Sequence, residues 1–381
     1  MERRTFQKRS FWTWIVLAFL IGLLIGAIFG VTMGLQISSY GTGAIELTMI
    51  YGSEKQSWIE EVTPLFLDWW KNTYPNRRLV IHPTPMGSRE SLTQIISGSI
   101  KPVIWSPASS LWIPLANWYW QQEYGVGQIL IRNYTSLVHS PIVLATWEKY
   151  AEKYNITGFQ SLYDLSISPE GGTLLYAHTD PQRSNSGFMA TVLEIAVAAG
   201  VSTEDLKYDD LTRDEVKGWL SEIESRAIFY GESTGFLMAQ MVDAGPSGLN
   251  VVAVYENLVL EKNLGGEPQA RWGQRLIAVY PEEGTLSSDH PFCVLNAPWV
   301  SEEQRWASEV FLRFLLSGDI QTKAIKQGFR PESTIVELDP SIFNEMYGIM
   351  YEIPCRMLKP PADSEVLWHI TDLWLVCRAG I

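Results

Sequence analysis

The stretch HTDPQRSNSG, residues 178–187, joins an apolar β-rich run at 173–177 to a helical run at 188–199 that Gly200 ends. A strand, a polar loop and a helix in that order put Ser184, Asn185 and Ser186 at a helix N-terminus. There the first backbone N–H groups lack intrahelical partners, and the helix dipole favours an anion or a ligand oxygen. One such residue suffices for an N-cap. Three consecutive small polar side chains exceed what a cap needs and point to a turn that faces a ligand.

The pattern recurs upstream. Residues 45–51 read as a buried strand ending in Gly52-Ser53-Glu54-Lys55. A helix follows to about 72, with its apolar face on Trp58, Val62, Leu65, Phe66 and Trp69. Pro64 inside it predicts a kink or a restart. A second strand at 79–82 precedes Met86-Gly87-Ser88 and a helix. A third at 103–105 precedes Ser106 to Ser110 and a Trp-rich helix to about 122. Strand-to-helix turns at Ser53, Ser88, Ser109 and Ser110 define an α/β chain. In an open α/β sheet they share the carboxyl edge of the strands, the crevice where ligands bind.

Length and charge bound the architecture. A chain of 381 residues exceeds one hydrophobic core, so two lobes are expected. A net charge of −13 argues against nucleic acid, which needs clustered Lys and Arg. Three cysteines (Cys293, Cys355, Cys377) allow at most one internal bridge, with Cys355 and Cys377 the candidates. There is no CxxC and no zinc spacing.

Residues 1–10 carry Arg3, Arg4, Lys8 and Arg9, and 11–37 then hold no charge. About 20 apolar residues span a bilayer at 1.5 Å rise each. The segment is therefore expected to be an uncleaved anchor. The basic tail would stay in the cytoplasm and the rest outside, as a single-pass cell-membrane protein. The run is too long for a signal-peptide core. Gly22, Gly26, Gly30 and Gly34 form a stripe where a partner helix can approach, from a permease or a second copy. Two glycosylation sequons, at Asn133 and Asn155, are compatible with an outside location.

Downstream, residues 38–44 read as a linker. Residues 137–145 form a long apolar strand around His139-Ser140-Pro141 that can carry the chain between lobes. A charged helix is expected over 209–224, and strands over 227–230 and 249–254. Strands at 276–280 and 292–295 are expected to return to the first lobe, followed by helices over 301–316 and 318–327. The last 50 residues show little periodicity beyond a helix near 367–375. The predicted segments are 45–136 and 276–330 for the first lobe, 137–275 for the second, and 331–381 for an extension packed on them.

Catalytic patterns are weak. Gly231-Glu232-Ser233-Thr234-Gly235 matches the G-x-S-x-G elbow, with Asp289 and His369 in the order of a serine hydrolase. The upstream oxyanion loop is missing. Asp164-Leu165-Ser166-Ile167-Ser168 matches a D-x-S-x-S metal pattern, but after a weak strand. The five His are scattered, and no P-loop or GxGxxG is present. The chain reads as a non-enzyme without a cofactor.

Eight blocks carry a family resemblance: YGSEKQSWIEEV, SGSIKPVIWSPASSLW, LVHSPIVLATWE, HTDPQRSNSGFMA, FYGESTGFL, VVAVYENLVLE, VYPEEGTLSSDHPFCVLNAPWVSEEQR and KQGFRP. In that order, from about 51 to 331, they resemble bacterial extracellular solute-binding proteins, in the branch related to molybdate-binding proteins that often precedes a von Willebrand A domain. Two features depart from that branch. No such domain is expected in residues 332–381, and a membrane segment is expected where free periplasmic relatives have a cleaved leader. The resemblance implies a type II periplasmic-binding fold, two α/β lobes joined by two crossover strands that hinge shut on a ligand. It also implies ligand contacts at Ser53, Ser88, Ser109, Asn185, Ser186, Thr234 and Tyr255, which reads GESTG as a binding turn. The expected function is capture of a small polar ligand, an oxyanion or a sugar, for an ABC permease. Hydroxyls and backbone N–H groups suit an oxyanion, and Trp105 and Trp112 would suit a sugar by ring stacking. An extracellular sensory or assembly module on the same lobes is the alternative.

Overall fold

The computed structural model describes residues 43–332, 336–361 and 364–379. The expected tail, the anchor at 11–37 and Gly22, Gly26, Gly30 and Gly34 lie outside the described residues. Among the described residues no helix is long and apolar enough to cross a membrane.

Among the described residues twelve strands run in chain order: β1 (Ile45–Tyr51), β2 (Leu79–Pro85), β3 (Ile104–Ser106), β4 (Thr135–Ser136), β5 (Val138–Trp147), β6 (Tyr176–Thr179), β7 (Ala227–Gly231), β8 (Val251–Tyr255), β9 (Leu276–Val279), β10 (Ser287–Ser288), β11 (Pro291–Val294) and β12 (Arg330–Pro331). They build two sheets. The first has the order β2-β1-β3-β11-β4. The second has the order β10-β5-β8-β6-β7, with β9 and β12 also on β5. The strand β8 (VVAVY) is a continuous apolar run, as a strand covered on both faces must be, and β6 and β8 are wholly buried.

Register decides where the turns emerge. Tyr51, the last residue of β1, pairs in parallel with Pro85 of β2 and Ser106 of β3. The turns after these strands therefore leave the first sheet level with one another. On the second sheet β6 pairs in parallel with β7, Thr179 opposite Gly231, and with β8. The turns after 179, 231 and 255 likewise share one edge.

Several expectations are corrected. Leu276–Val279 pairs antiparallel with β5, so it belongs to the second sheet, and only Pro291–Val294 pairs with the first. The helix Gln56–Thr73 runs through Pro64 without restarting. Thr63 Oγ1, just before the proline, donates to Ile59 O at 2.6 Å and occupies a carbonyl in that turn. The charged stretch forms two helices, Tyr208–Thr212 and Asp214–Glu224, because Arg213 is extended (φ −68°, ψ 133°). All three cysteines are free thiols, so Cys355 and Cys377 are not bridged. Cys377 is buried in the helix Ser364–Arg378, which packs on Tyr208–Thr212, Asp214–Glu224 and Asn185–Ala199.

Candidate functional site

The helix Asn185–Ala199 is buried along nearly its whole length. It begins at Ser184, which is extended and makes no side-chain cap bond, so the cap role is not what these polar residues perform. A close approach seats the helix start on β6: a Cβ on Gly187 would lie 1.7 Å from Thr179 O. Gly187 N donates to Thr179 Oγ1 at 2.7 Å. Ser186 Oγ then lies 2.8 Å from both Thr179 Oγ1 and Thr234 Oγ1, and Ser184 Oγ lies 3.4 Å from Thr234 Oγ1. Two helix N-termini, at Asn185 and Thr234, thus meet through hydroxyls.

Asn185 links distant parts of the chain. Its Oδ1 accepts from Trp112 Nε1 at 2.7 Å, from the first-lobe helix Trp112–Tyr124. Its Nδ2, with two protons to donate, lies 2.8 Å from Tyr255 OH, 3.0 Å from Ser288 Oγ and 2.8 Å from Met189 Sδ. Burial, then the charge on Glu54, push the Tyr255 hydroxyl far above its ordinary range, so it stays a neutral phenol. Ser53 joins from the other side, its Oγ accepting from Gly235 N at 3.3 Å.

The remaining expected residues bond within the first-lobe side. Ser88 Oγ accepts from Ala108 N at 3.0 Å, and Ser109 Oγ accepts from Leu111 N at 3.2 Å. Ser110 donates its backbone N–H to Asp289 Oδ1 at 2.7 Å. Ser109 thus supports its own turn, as a cap-like serine does.

Residue-level reading missed the charged floor of this junction. Lys55 Nζ lies 3.0 Å from Glu54 Oε1, 3.2 Å from His290 Nδ1 and 3.3 Å from Pro107 O, all buried. Burial opposes ionisation of Glu54, but the Lys55 charge and the His290 hydrogen bond outweigh it and hold its carboxyl at about 2. Lys55 is therefore neutralised in place. Asn257 ties the lobes together here, accepting from Ser140 Oγ at 3.1 Å and donating to Glu54 O at 3.2 Å. Two buried polar atoms beside this floor, Ser106 Oγ and His290 Nε2, have no partner. Lys55, Thr179 and Ser288 carried no spacing signal; only the SSDH run within a quoted block hinted at Ser288 and His290. Trp112 entered as a ring to stack on, whereas it acts through its N–H. Trp105 donates to Ser91 Oγ at 2.9 Å inside the first lobe.

At the rim, Arg89 N and Glu90 N both donate to Arg183 O at 3.1 Å. The Arg183 guanidinium reaches Glu90 at 3.1 Å and Glu232 at 3.2 Å. The lobes are closed on one another, and Ser184, Asn185, Ser186, Thr234, Tyr255 and Ser288 bond among themselves. A concavity of about 440 Å³ lies between the second lobe and the C-terminal extension, beside Leu193, Val197, Glu283 and Leu358.

The hydrolase and metal-loop patterns do not assemble. Ser233 is extended (φ −151°, ψ 159°) and lacks the strained backbone of an elbow. Asp289 accepts from Ser110 N and Ser136 Oγ, while His369 pairs with Asp372 on the C-terminal helix. Ser166 and Ser168 donate back to the carbonyls of Tyr163 and Leu165 in a helix end.

Two α/β sheets whose carboxyl edges meet across a polar junction define a two-lobed binding-protein fold. Solved structures agree. A periplasmic thiamin binding protein aligns with TM-score 0.60 at 13% identity, covering 87% of this chain and 96% of that one. The periplasmic binding protein AfuA from Actinobacillus pleuropneumoniae, with exogenous fructose-6-phosphate bound, aligns at 0.57 and 13%, covering 88% and 98%. A putative spermidine/putrescine ABC transporter from Listeria monocytogenes aligns at 0.58 and 12%, covering 89% and 100%. At these identities the likeness is one of fold. The chain belongs to the bacterial extracellular solute-binding protein family, whose sequence model matches residues 124–345. No curated protein sequence matches it.

Proposed function

We propose that this solute-binding protein captures a small polar ligand, an oxyanion or a sugar, between its lobes and passes it to an ABC-type importer. The reading rests on one observation above the others. Asn185 gathers Trp112, Tyr255 and Ser288 from three separate parts of the chain into one buried junction. Ser53, Ser186 and Thr234 stand in the same network, with Ser88, Ser109 and Ser110 supporting the turns behind it. Groups that now satisfy one another can exchange those bonds for ligand oxygens when the lobes part. A ligand so held is met by neutral donors, because Lys55 is already paired with Glu54.

Titration calorimetry on the full-length protein in detergent tests the reading, with molybdate, phosphate, glucose and maltose as probes. The expected result is saturable one-to-one binding to one class. Asn185→Ala should weaken it at least tenfold, since leaving buried donors and acceptors unpaired costs about 1–3 kcal/mol each. Absence of heat with all four probes would remove the capture model.

We also propose that residues 11–37 anchor the protein in the cell membrane with the lobes outside, the glycine stripe meeting a partner helix. The 27-residue uncharged run supports this.

A further inference from the structure

One residue back along β6 from Thr179 lies a buried cluster that the junction does not use, and its chemistry is independent of the capture reading. His178 on β6, Glu194 on the helix Asn185–Ala199 and Glu224 at the end of Asp214–Glu224 are all buried. One donor atom from each lies within 4.8 Å of the others. His178 Nε2 is 3.0 Å from Glu224 Oε1. Glu194 Oε2 is buried with no hydrogen-bond partner.

The outer atom of each side chain is held by a different neighbour. Tyr176 OH donates to Glu194 Oε1 at 2.7 Å. Tyr230 OH donates to Glu224 Oε2 at 2.7 Å. His178 Nδ1 lies 2.8 Å from Thr179 O, a contact that requires a proton on Nδ1. With Nδ1 so engaged, Nε2 faces Glu224 Oε1 across 3.0 Å and shares a proton with it, which a metal ion would displace. Each of the three groups therefore turns one donor inward and has its other donor fixed from behind, the arrangement by which metal ligands are oriented. Two carboxylates buried together repel and are costly without a cation. A proton shared between His178 and Glu224 answers for one of them; Glu194 Oε2 is left over.

We propose that His178, Glu194 and Glu224 form a structural site for a divalent metal ion, and that the ion is Zn²⁺. One imidazole nitrogen and two carboxylate oxygens suit Zn²⁺ better than Mg²⁺ or Ca²⁺, which favour all-oxygen shells. Bonds of about 2.0–2.1 Å at tetrahedral angles separate ligand atoms by about 3.4 Å. The donor atoms, now within 4.8 Å of one another, would close to that spacing on binding. The site is roofed by the C-terminal helix Ser364–Arg378: the Trp374 ring lies 6.2 Å from His178 and 5.1 Å from Tyr230, and the Arg378 guanidinium lies 4.5 Å over Tyr230. With that roof in place the ion enters as the chain folds, and it ties the C-terminal extension's docking surface to the second lobe.

The full-length protein in detergent is denatured, refolded with Zn²⁺ or with a chelator, and dialysed. Metal content is read by plasma mass spectrometry and stability by thermal melting. One Zn²⁺ per chain is expected, with a higher melting temperature than the chelator-refolded protein. Co²⁺ in its place should give visible d–d absorption that the metal-free protein lacks. Glu194→Gln, which keeps an oxygen for the Tyr176 hydroxyl, and His178→Asn should each lower retained metal at least tenfold. Wild-type protein that retains no Zn²⁺ overturns the site, and so does equal retention by both variants. The wild-type measurement decides even where a variant fails to fold. Ligand calorimetry at Asn185 is scored separately, so failure of either proposal leaves the other standing.

Discussion

Single residues set the electrostatics of the junction, and His290 shows how. It sits at φ 41°, a left-handed conformation few side chains accept, with the Tyr255 and Phe329 rings edge-on at 5.7 and 5.2 Å. Burial and then the Lys55 ammonium push its imidazole down to about 4, against the pull of Glu54 and Asp289. The unfolded chain, near the ordinary 6.5, takes up a proton across that window that the folded protein refuses. The His290 contribution to folding stability should therefore fall as pH drops from 6.5 to 4, by about 3 kcal/mol at 1.36 kcal/mol per unit, while buried Glu194, raised to about 8, contributes in the opposite direction over the same window. Glu54 acts lower: its contribution is present above its ordinary 4.5 and is lost as pH falls toward about 2. His290→Asn removes the imidazole, and Asn tolerates positive φ. Urea melts at pH 4.5 and 6.5 should show a shallower difference in this variant. An unchanged difference would assign the pH dependence to another group.

At the scale of elements, docking of helix starts onto opposing loops closes the molecule. The helix Ser88–Ile96 begins against the second lobe: a Cβ on Gly87 would lie 2.6 Å from Arg183 O and 3.3 Å from Glu232 O. Those are backbone atoms and cannot swing aside as a flexible side chain could. Gly87→Leu should therefore act as a wedge that holds the lobes apart, while each lobe keeps its own core. Small-angle scattering should report a larger radius of gyration, with circular dichroism unchanged. A variant as closed as wild type would show that the contact at Arg183 does not set the gap. The same logic explains the tight start of Asn185–Ala199, where only glycine at 187 lets Thr179 and Ser186 reach hydrogen-bond distance.

For the whole molecule, the tether and the lobes have separate physical origins. In the anchor proposed above, hydrocarbon solvation would hold the uncharged run at 11–37, whereas the described residues are held by burial of two hydrophobic clusters, one of which runs through both sheets. The full-length protein should stay with membranes through an alkaline carbonate wash, and a chain beginning at residue 45 should not. Crosslinking through cysteines placed on the Gly22–Gly26–Gly30–Gly34 face should trap a neighbouring helix. A permease partner supports delivery to an importer, and self-association alone favours the sensory or assembly role. Release by carbonate would end the anchor reading.

The amino-acid sequence by itself determined the α/β class and the polar strand-to-helix turns, because both follow from short-range periodicity and from side chains a few residues apart. The expected helices over 301–316 and 318–327 appear as Glu302–Leu315 and Gly318–Lys326 for that reason. Ser53, Asn185, Ser186 and Thr234 were legible as turn residues. What Asn185 touches was not: its partners Trp112, Tyr255 and Ser288 lie 73, 70 and 103 residues away in the chain. Only the closed tertiary structure makes those pairs, neutralises Lys55 against Glu54, and gathers His178, Glu194 and Glu224. It also strips Ser233 of its apparent elbow, since a three-letter pattern carries no φ and ψ. Local propensity acts over one turn, while a junction is a property of two lobes meeting.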